Sequence, residues 1–302
     1  MGAFINLSNI KNIYCNGSKI KTVCLGDTVV YQSDAVIADD SIDPTYNYFV
    51  FDVRASYSVD LADTRRGDAT EWDGLTDWDD GTVDNLLTHT YEKGGTYTVK
   101  TKWTVGDSSK SSLVGCENIN RNMTDVSEMF RDCSNLVSVD FTNLNPDITN
   151  LSSMFYNCTN LTNVNNINTS NIVSMSYMFY KCRNIDGSQF INWDVSKVED
   201  MSGMFQYAKI TNCLDLSSWD VSNVIYMSYM FNQCLARDYI NISNWKLRTD
   251  TITVMGVSFF APKVLNMFVY TYCSSSCWDV EHHVIHNGVS SSNWNKMKAG
   301  QY

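Results

Sequence analysis

The sequence predicts a multidomain, β-rich chain: an N-terminal β-meander, a β-sandwich, then a solenoid of short α/β units closed by a C-terminal cap. Three observations carry this. A Met-Phe phrase followed three residues later by a small side chain recurs at Met129, Met154, Met178, Met204 and Met230, in steps of 25, 24, 26 and 26 residues. Such a period marks units that cannot bury an apolar face alone and must stack on their neighbours. Between residues 46 and 105, alternating apolar and polar residues broken by turn residues mark strands. Nearer the start, Asn16-Gly17 lies between two apolar-alternating runs, a hairpin signal.

Composition bounds the function. With 302 residues the chain has room for about two or three domains, and 44% hydrophobic residues suffice for a packed core. The formal charge of −11 argues against a nucleic-acid groove or an anionic-membrane contact. The opening MGAFINLSNIKN has no basic stretch followed by an apolar one, so no secretory signal is expected. No run of about 18 apolar residues predicts membrane insertion. The reading is a soluble protein made in a cytoplasm. Of ten cysteines, Cys133, Cys158, Cys182 and Cys234 share one phase of the repeat. They read as reduced, buried, small side chains rather than as disulfides.

Residues 1–33 form the first expected element. Asn16-Gly17 and Gly26-Asp27 separate short apolar runs into a three-stranded meander. A meander of this size buries little area by itself and should dock on something larger. The order of residues in IKNIYCNGSKIKTVCLGDTVVY resembles a short N-terminal module of bacteriophage virion proteins. That resemblance implies attachment to other virion proteins through residues 1–33. Residues 34–45 read as an acidic linker.

Residues 46–112 read as strands and turns, opening with YNYFVFDV and closing with GGTYTVKTKWTV. The phrase TDWDDGTVDNLLTHTYEKGGTYTV resembles the PKD-type immunoglobulin-like domain, through Asp77, Gly81, His89, Tyr91, Gly95 and Tyr97. The resemblance implies an immunoglobulin-like β-sandwich. The shortened WDDGT and the inserted DTRRGDATEWDG depart from the pattern. Asp77, Asp79 and Asp80 offer hard oxygen ligands of the kind calcium takes. Aspartates that cap their own turn are the better reading. The triplet Arg66-Gly67-Asp68 reads as a solvated loop.

Residues 113–262 hold the repeats. In each unit apolar residues fall at i, i+3, i+4 and i+7, as in Leu151, Met154, Phe155 and Cys158, the spacing of one helical stripe. Asp125, Asn150, Ser174 and Asp200 precede the stripes as expected N-caps. A helix of two turns would be held only by packing on its neighbours. A short alternating segment follows each stripe: Val139-Asp140-Phe141, Asn163-Val164-Asn165, Gln189-Phe190, Leu214-Asp215-Leu216 and Ile240-Asn241-Ile242. Trp193, Trp219 and Trp245 occupy one later phase and read as core rather than as a sugar platform. The phrases INWDVSKVEDMSGMF and SSWDVSNVIYMSYMF resemble the BspA-like leucine-rich repeats of bacterial surface proteins, over about residues 118–262. A degenerate sixth copy is expected around Thr253–Phe260. The resemblance implies an α/β leucine-rich-repeat solenoid used for adhesion or protein binding, with no catalytic residues.

Residues 263–302 are expected to cap the last apolar layer. Cys273, Cys277, His282 and His286 have zinc-ligand chemistry and spacing, with His283 beside them. The cap is the preferred reading, and no metal or cofactor is assigned.

No nucleophile–base pairing, phosphate loop or enclosed carboxylate pair marks an enzyme. The expected function is that of a bacteriophage virion structural protein, a head or tail fibre or decoration. The sandwich would be its spacer and the solenoid would present a surface to the host. The alternative is a bacterial cell-surface adhesin of the BspA-like type, which would need export. The expected partners are other virion proteins, a host cell-surface protein or glycan, and further copies on the particle. The expected recognition residues point outward from the strands: Asp140, Asn163, Gln189, Asp215 and Asn241.

Overall fold

The computed structural model describes residues 43–62, 75–102 and 104–247, together with Met267 and strand segments nearer the two ends. Contacts divide the chain into two units, Met1–Pro44 and Thr45–Tyr302.

In the first unit, β1 (Ile13–Cys15) pairs with β2 (Ser18–Ile20), and β3 (Thr22–Leu25) with β4 (Thr28–Gln32), all antiparallel. These are two separate two-stranded sheets, so the expected three-stranded meander is replaced by two hairpins. Cys15 pairs with Ser18, leaving the two-residue connection that Asn16-Gly17 signals.

The second unit opens with β5 (Asn47–Val53), β6 (Tyr57–Ala62), β7 (Thr76–Asp77), β8 (Val83–Asp84), β9 (Thr88–Tyr91), β10 (Gly95–Thr101), β11 (Thr104–Val105) and β12 (Leu113–Asn118). Strands β11, β6 and β9 form one sheet. A second, seven-stranded sheet runs β14-β13-β12-β5-β10-β7-β8, where β13 is Ser138–Asp140 and β14 is Asn163–Asn165. Phe49, Phe51, Val59, Leu61, Trp78, Tyr91 and Val99 from both sheets are buried in a common core. The Tyr91 hydroxyl donates to the Trp78 carbonyl at 2.9 Å, which satisfies the one polar atom on that ring.

The turn aspartates use their carboxylates locally. Asp77 accepts the Asp79 amide, Asp80 the Thr82 amide, and Asp79 the Thr98 amide, at 2.9–3.0 Å. His89 stacks on Trp78 and shares a 2.7 Å contact with Asp80. Burial pushes the Asp80 carboxyl up, but its bonds with His89 and Thr82 outweigh that and hold it below its usual range. Arg66, Gly67 and Asp68 lie outside the described residues.

Strand β12 joins the two halves of this unit. It pairs antiparallel with β5 and parallel with β13, which in turn pairs parallel with β14. The Asn120 amide donates to the Asn47 side chain at 2.8 Å, so the same strand edge is fixed by a side chain as well. Phe49 of β5 meets Phe130 edge-on at 6.3 Å, extending the core into the repeats.

The α/β leucine-rich-repeat solenoid is not what the repeats form. Among the described residues there is no α-helix, and helical structure is limited to 3₁₀ turns at Asp107–Ser109 and Gly187–Asn192. Each Met-Phe stripe is a run of tight turns. The amides of Met129, Arg131 and Cys133 donate three residues back within the unit, to Val126, Glu128 and Phe130. The alternate amides of Glu128, Phe130 and Asp132 donate instead to the carbonyls of Ser152, Met154 and Tyr156 in the next unit. The pattern recurs from unit to unit, and its last bridge among the described residues is the Phe231 amide on the Met267 carbonyl.

A helix cannot follow this path. Glu128, Ser153, Tyr177, Gly203 and Tyr229 at one phase, and Asp132, Asn157, Lys181, Tyr207 and Gln233 at another, all have positive φ. Each non-glycine residue there costs about 1–2 kcal/mol, an amount the bridges between units must offset. Three of the four expected N-caps make their bonds, while the Ser174 hydroxyl meets those of Ser152 and Ser176 instead. Asp125, Asn150 and Asp200 each accept the amide two residues on, at 2.8–2.9 Å, but a turn follows rather than a helix.

The apolar stripe points inward regardless. Every one of Val126, Met154, Met178, Met204, Met230 and the five stripe phenylalanines is buried. Phe130, Phe155, Phe179, Phe205 and Phe231 stack in one file, with centroids 5.7–5.9 Å apart and planes within 14° of parallel. Trp193, Trp219 and Trp245 are core residues. The indole N–H groups of Trp219 and Trp245 donate to the carbonyls of Phe190 and Leu216 in the preceding unit, both at 2.8 Å.

The later units carry two further parallel sheets. One joins β15 (Lys209–Ile210), β17 (Leu235–Ala236) and β21 (Tyr272–Cys273). The other joins β16 (Leu214–Asp215), β18 (Ile240–Asn241) and β22 (Val284–Ile285). Parallel pairing therefore runs on past residue 262. Thr253–Phe260 lies instead in an antiparallel hairpin of β19 (Thr251–Val254) and β20 (Val257–Phe260). Met267, whose carbonyl accepts the Phe231 amide, meets the fifth unit.

Cys133, Cys158, Cys182 and Cys234 are free and buried. The Cys158 and Cys182 thiols donate to the carbonyls of Phe130 and Phe155, 2.9 and 3.0 Å away. Burial pushes the Cys133 and Cys234 thiols up to about 12, and raises Cys158 and Cys182 as well. These thiols should therefore resist iodoacetamide at pH 8 in the folded chain and react once it is unfolded. A raised folded-state value means that stability is fully present below the ordinary thiol value of 9.0. It should decline as pH rises beyond that value, because unfolded thiols ionise and the buried ones do not. Intact-mass measurement after alkylation, and denaturation across pH 8–11, check both.

Candidate functional site

The expected recognition residues do not form one unbroken row. Asp140 on β13 and Asn163 on β14 belong to neighbouring strands of the seven-stranded sheet, whereas Asp215 and Asn241 pair across β16 and β18 in another. Gln189, between them, lies in a 3₁₀ turn rather than a strand. Its side-chain amide replaces the missing backbone pairing. Oε1 accepts the Val164 amide at 2.9 Å, and Nε2 donates to the carbonyls of Thr162 and Asp186 at 3.2 and 2.7 Å. The edge of β14 is thereby closed.

The other four are partly committed too. Asp140 accepts the Thr142 amide and hydroxyl and the Asn166 side chain. Asp215 and Asn241 accept the amides of Ser217 and Ser243, both at 3.0 Å. Asn163 donates weakly to Thr162 at 3.4 Å. All five are half-buried. Their first task is to hold turns, which lowers their freedom to meet a ligand. Cys277, His282 and His286 lie outside the described residues, and for Cys273 only its place in β21 is described.

The turns that carry the Met-Phe stripe present a second surface. Tyr156, Tyr177, Tyr180, Tyr207 and Tyr229 are half-buried along it. Tyr156 and Tyr180 share one phase in successive units and stack at 4.3 Å with planes 14° apart. The Arg131 guanidinium lies 4.2 Å over the far side of this file, on Tyr156. Lys181 sits 5.3 Å from the Tyr180 ring and 6.0 Å from that of Tyr207, which meets Tyr180 edge-on. Amides continue the file: Gln206 donates to Asn232, and Gln233 to the Tyr207 hydroxyl. Gly203 leaves room for the Tyr177 ring, since a Cβ there would collide with it. Burial and the bond to Tyr156 push the Tyr180 phenol up to about 12, so it stays a neutral hydrogen-bond donor.

A helical reading of the stripe hides this face, because it scatters the tyrosines around a helix surface. The signal is nevertheless present in the sequence: Tyr156 and Tyr180 both follow the phenylalanine, and Tyr177 and Tyr229 both precede the methionine.

Residues 149–272 match the model of a family described as Mycoplasma protein of unknown function, DUF285. The match agrees with the resemblance of these repeats to BspA-like surface proteins. No curated protein and no solved structure matches the chain. Among the described residues, no group of three or more metal-ligating side chains gathers, and no helix is long and apolar enough to cross a membrane.

Proposed function

We propose that this chain is a non-catalytic recognition protein displayed on a bacteriophage virion. Its N-terminal residues 1–33 dock on other virion proteins, the PKD-like region around residues 46–112 is a spacer, and the repeat stack reads the host surface. The observation that carries this is the stacking itself. Backbone bridges between successive units set side chains of one phase in file on the outside, which makes an extended surface rather than a pocket. Modest contacts at one copy would be strengthened by many copies on a particle.

The attachment arm has its own test. A chain lacking residues 1–33 should fold and remain soluble yet fail to join particles, as read by immunoblotting purified virions. Normal incorporation would move the attachment point elsewhere. A second reading, a bacterial cell-surface adhesin, draws support from the family match over residues 149–272. Finding the chain on the bacterial envelope in uninfected cells would favour it.

A further inference from the structure

We propose that the tyrosine face of the second to fourth units binds an extended acidic saccharide, one bearing carboxylate or phosphate groups. This rests on the surface-recognition reading above and gives it a ligand class. Charge is the first argument. The chain carries a net −11, yet no acidic residue stands between Asp147 and Asp186, and the only charged residues in that interval are Lys181 and Arg183. Neither cation has a carboxylate within ion-pair distance among the described residues. Lys181 is held against two tyrosine rings instead, which fixes its ammonium on this face. Two cations with no ion pair among the described residues, on a face whose first-unit carboxylates Glu128 and Asp132 are taken up by Arg131 and Asn157, suit an anion.

The chemistry of the surroundings selects the kind of anion. The ring faces of Tyr156 and Tyr180 are engaged by each other, with Arg131 over Tyr156 and Lys181 beside Tyr180. What these residues offer outward is therefore phenol hydroxyls and ring edges, with the carboxamides of Asn157 and Gln206 alongside, each already donating once, to Asp132 and Asn232. None of the large exposed apolar side chains, such as Val137, Ile191 or Leu235, belongs to this file. A protein partner would call for a desolvated apolar centre, which the face lacks. A polyhydroxylated chain is matched by many neutral donors and acceptors at near-regular spacing, with two charges for its acidic groups. Parallel units lie about 4.8 Å apart, so a linear polymer meets a polar side chain at each step, from Arg131 through Tyr156 and Tyr180 to Gln206 and Asn232.

Affinity electrophoresis of the full chain tests this with four probes: polygalacturonate, its fully methyl-esterified neutral form, a phosphate-bearing mannan and poly-glutamate. Retardation is expected with polygalacturonate or the phosphomannan, weakening as salt is raised. The neutral ester and poly-glutamate should give none. Lys181→Gln with Arg183→Gln should weaken retention about tenfold, and Tyr180→Phe should weaken it without changing the salt dependence. Melting curves establish that the variants fold, and the exposed Arg183→Gln alone serves if the double variant does not. Retention by neither acidic saccharide, or equal retention by poly-glutamate, overturns the proposal, the latter in favour of an acidic protein. Adsorption of the same chain to host cells, measured in parallel, separates the two levels. Adsorption without saccharide retention refutes the ligand class alone, whereas absence of both refutes surface recognition as well.

Discussion

Met204→Asp is expected to abolish the folded repeat stack as a whole, with the loss of a single cooperative transition rather than of one unit. Met204 is fully buried in the fourth unit, and its carbonyl accepts the Phe179 amide from the unit before. A carboxylate at that position would have neither water nor a partner, and unpaired buried polar groups cost several kcal/mol even when they neutralise themselves. The expected destabilisation exceeds about 4 kcal/mol, in the exceptional range for a point change. Because each unit is held by its neighbours, failure within the stack leaves two fragments, each lacking a partner on one side. Met204→Leu, which keeps the volume, should cost less than about 1.5 kcal/mol. Circular dichroism and urea denaturation of the two variants decide the matter. A Met204→Asp chain that unfolds with wild-type midpoint would refute the buried placement.

Gly187→Ala should be nearly as damaging, although it adds one methyl group. A Cβ at Gly187 would collide with the carbonyl of Cys213 in the next unit, and would lie 2.8 Å from Ile210 Cγ2 and 3.0 Å from Asn212 Oδ1. The first of these is backbone and cannot swing aside. The Gly187 amide also donates to Asn212 Oδ1 at 2.7 Å, so any shift that relieves the collision lengthens that bond. Overpacking of this kind typically costs 1–3 kcal/mol, and a backbone obstacle places it at or above about 3 kcal/mol. For a unit of this size the melting temperature should fall by roughly 6–12 °C. Gly81, whose Cβ would meet nothing within 4 Å, is a useful contrast for crowding, since substitution there strains only its φ of 97°.

Much of the fold is legible in the sequence because burial and period survive a change of backbone. The Met-Phe pairs, the cysteine row and the tryptophans are inside, as their recurrence at one phase requires. The backbone between them is where periodicity misleads. Apolar residues at i, i+3, i+4 and i+7 fit a helix, but they also fit successive tight turns that advance three residues at a time. Glycine would have betrayed the positive-φ positions, and only Gly203 is glycine there; the rest are Glu128, Asp132, Asn157, Lys181 and similar residues. The N-cap signal is ambiguous for a related reason: an aspartate accepting the amide two residues on starts either a helix or a turn. Met267 escapes the period because the step from Met230 to it is longer than its predecessors and encloses the β19–β20 hairpin.

The candidate surface is less legible than the core. Asp140, Asp215 and Asn241 do sit on strands, but side-chain bonds to the backbone two residues away are not evident from alternation alone. Alternation assigns Gln189 to a strand, yet its phase is occupied by a 3₁₀ turn whose side chain imitates one. The tyrosine face depends on which turn residues point outward, and that follows from the positive-φ positions the sequence conceals.

The alternation of amides in the stripe also has a mechanical meaning. The chain enters the stack through β12 at one end and leaves beyond Met267 at the other, so a pull on both ends loads the bridges along their own direction. Rungs under that geometry open in succession, like a zip, and never share the load as they would in shear. Each released unit of about 25 residues would yield roughly 80 Å of slack at about 3.3 Å per residue. A stack built on this pattern gives way in steps, absorbing a tug by lengthening before it lets go.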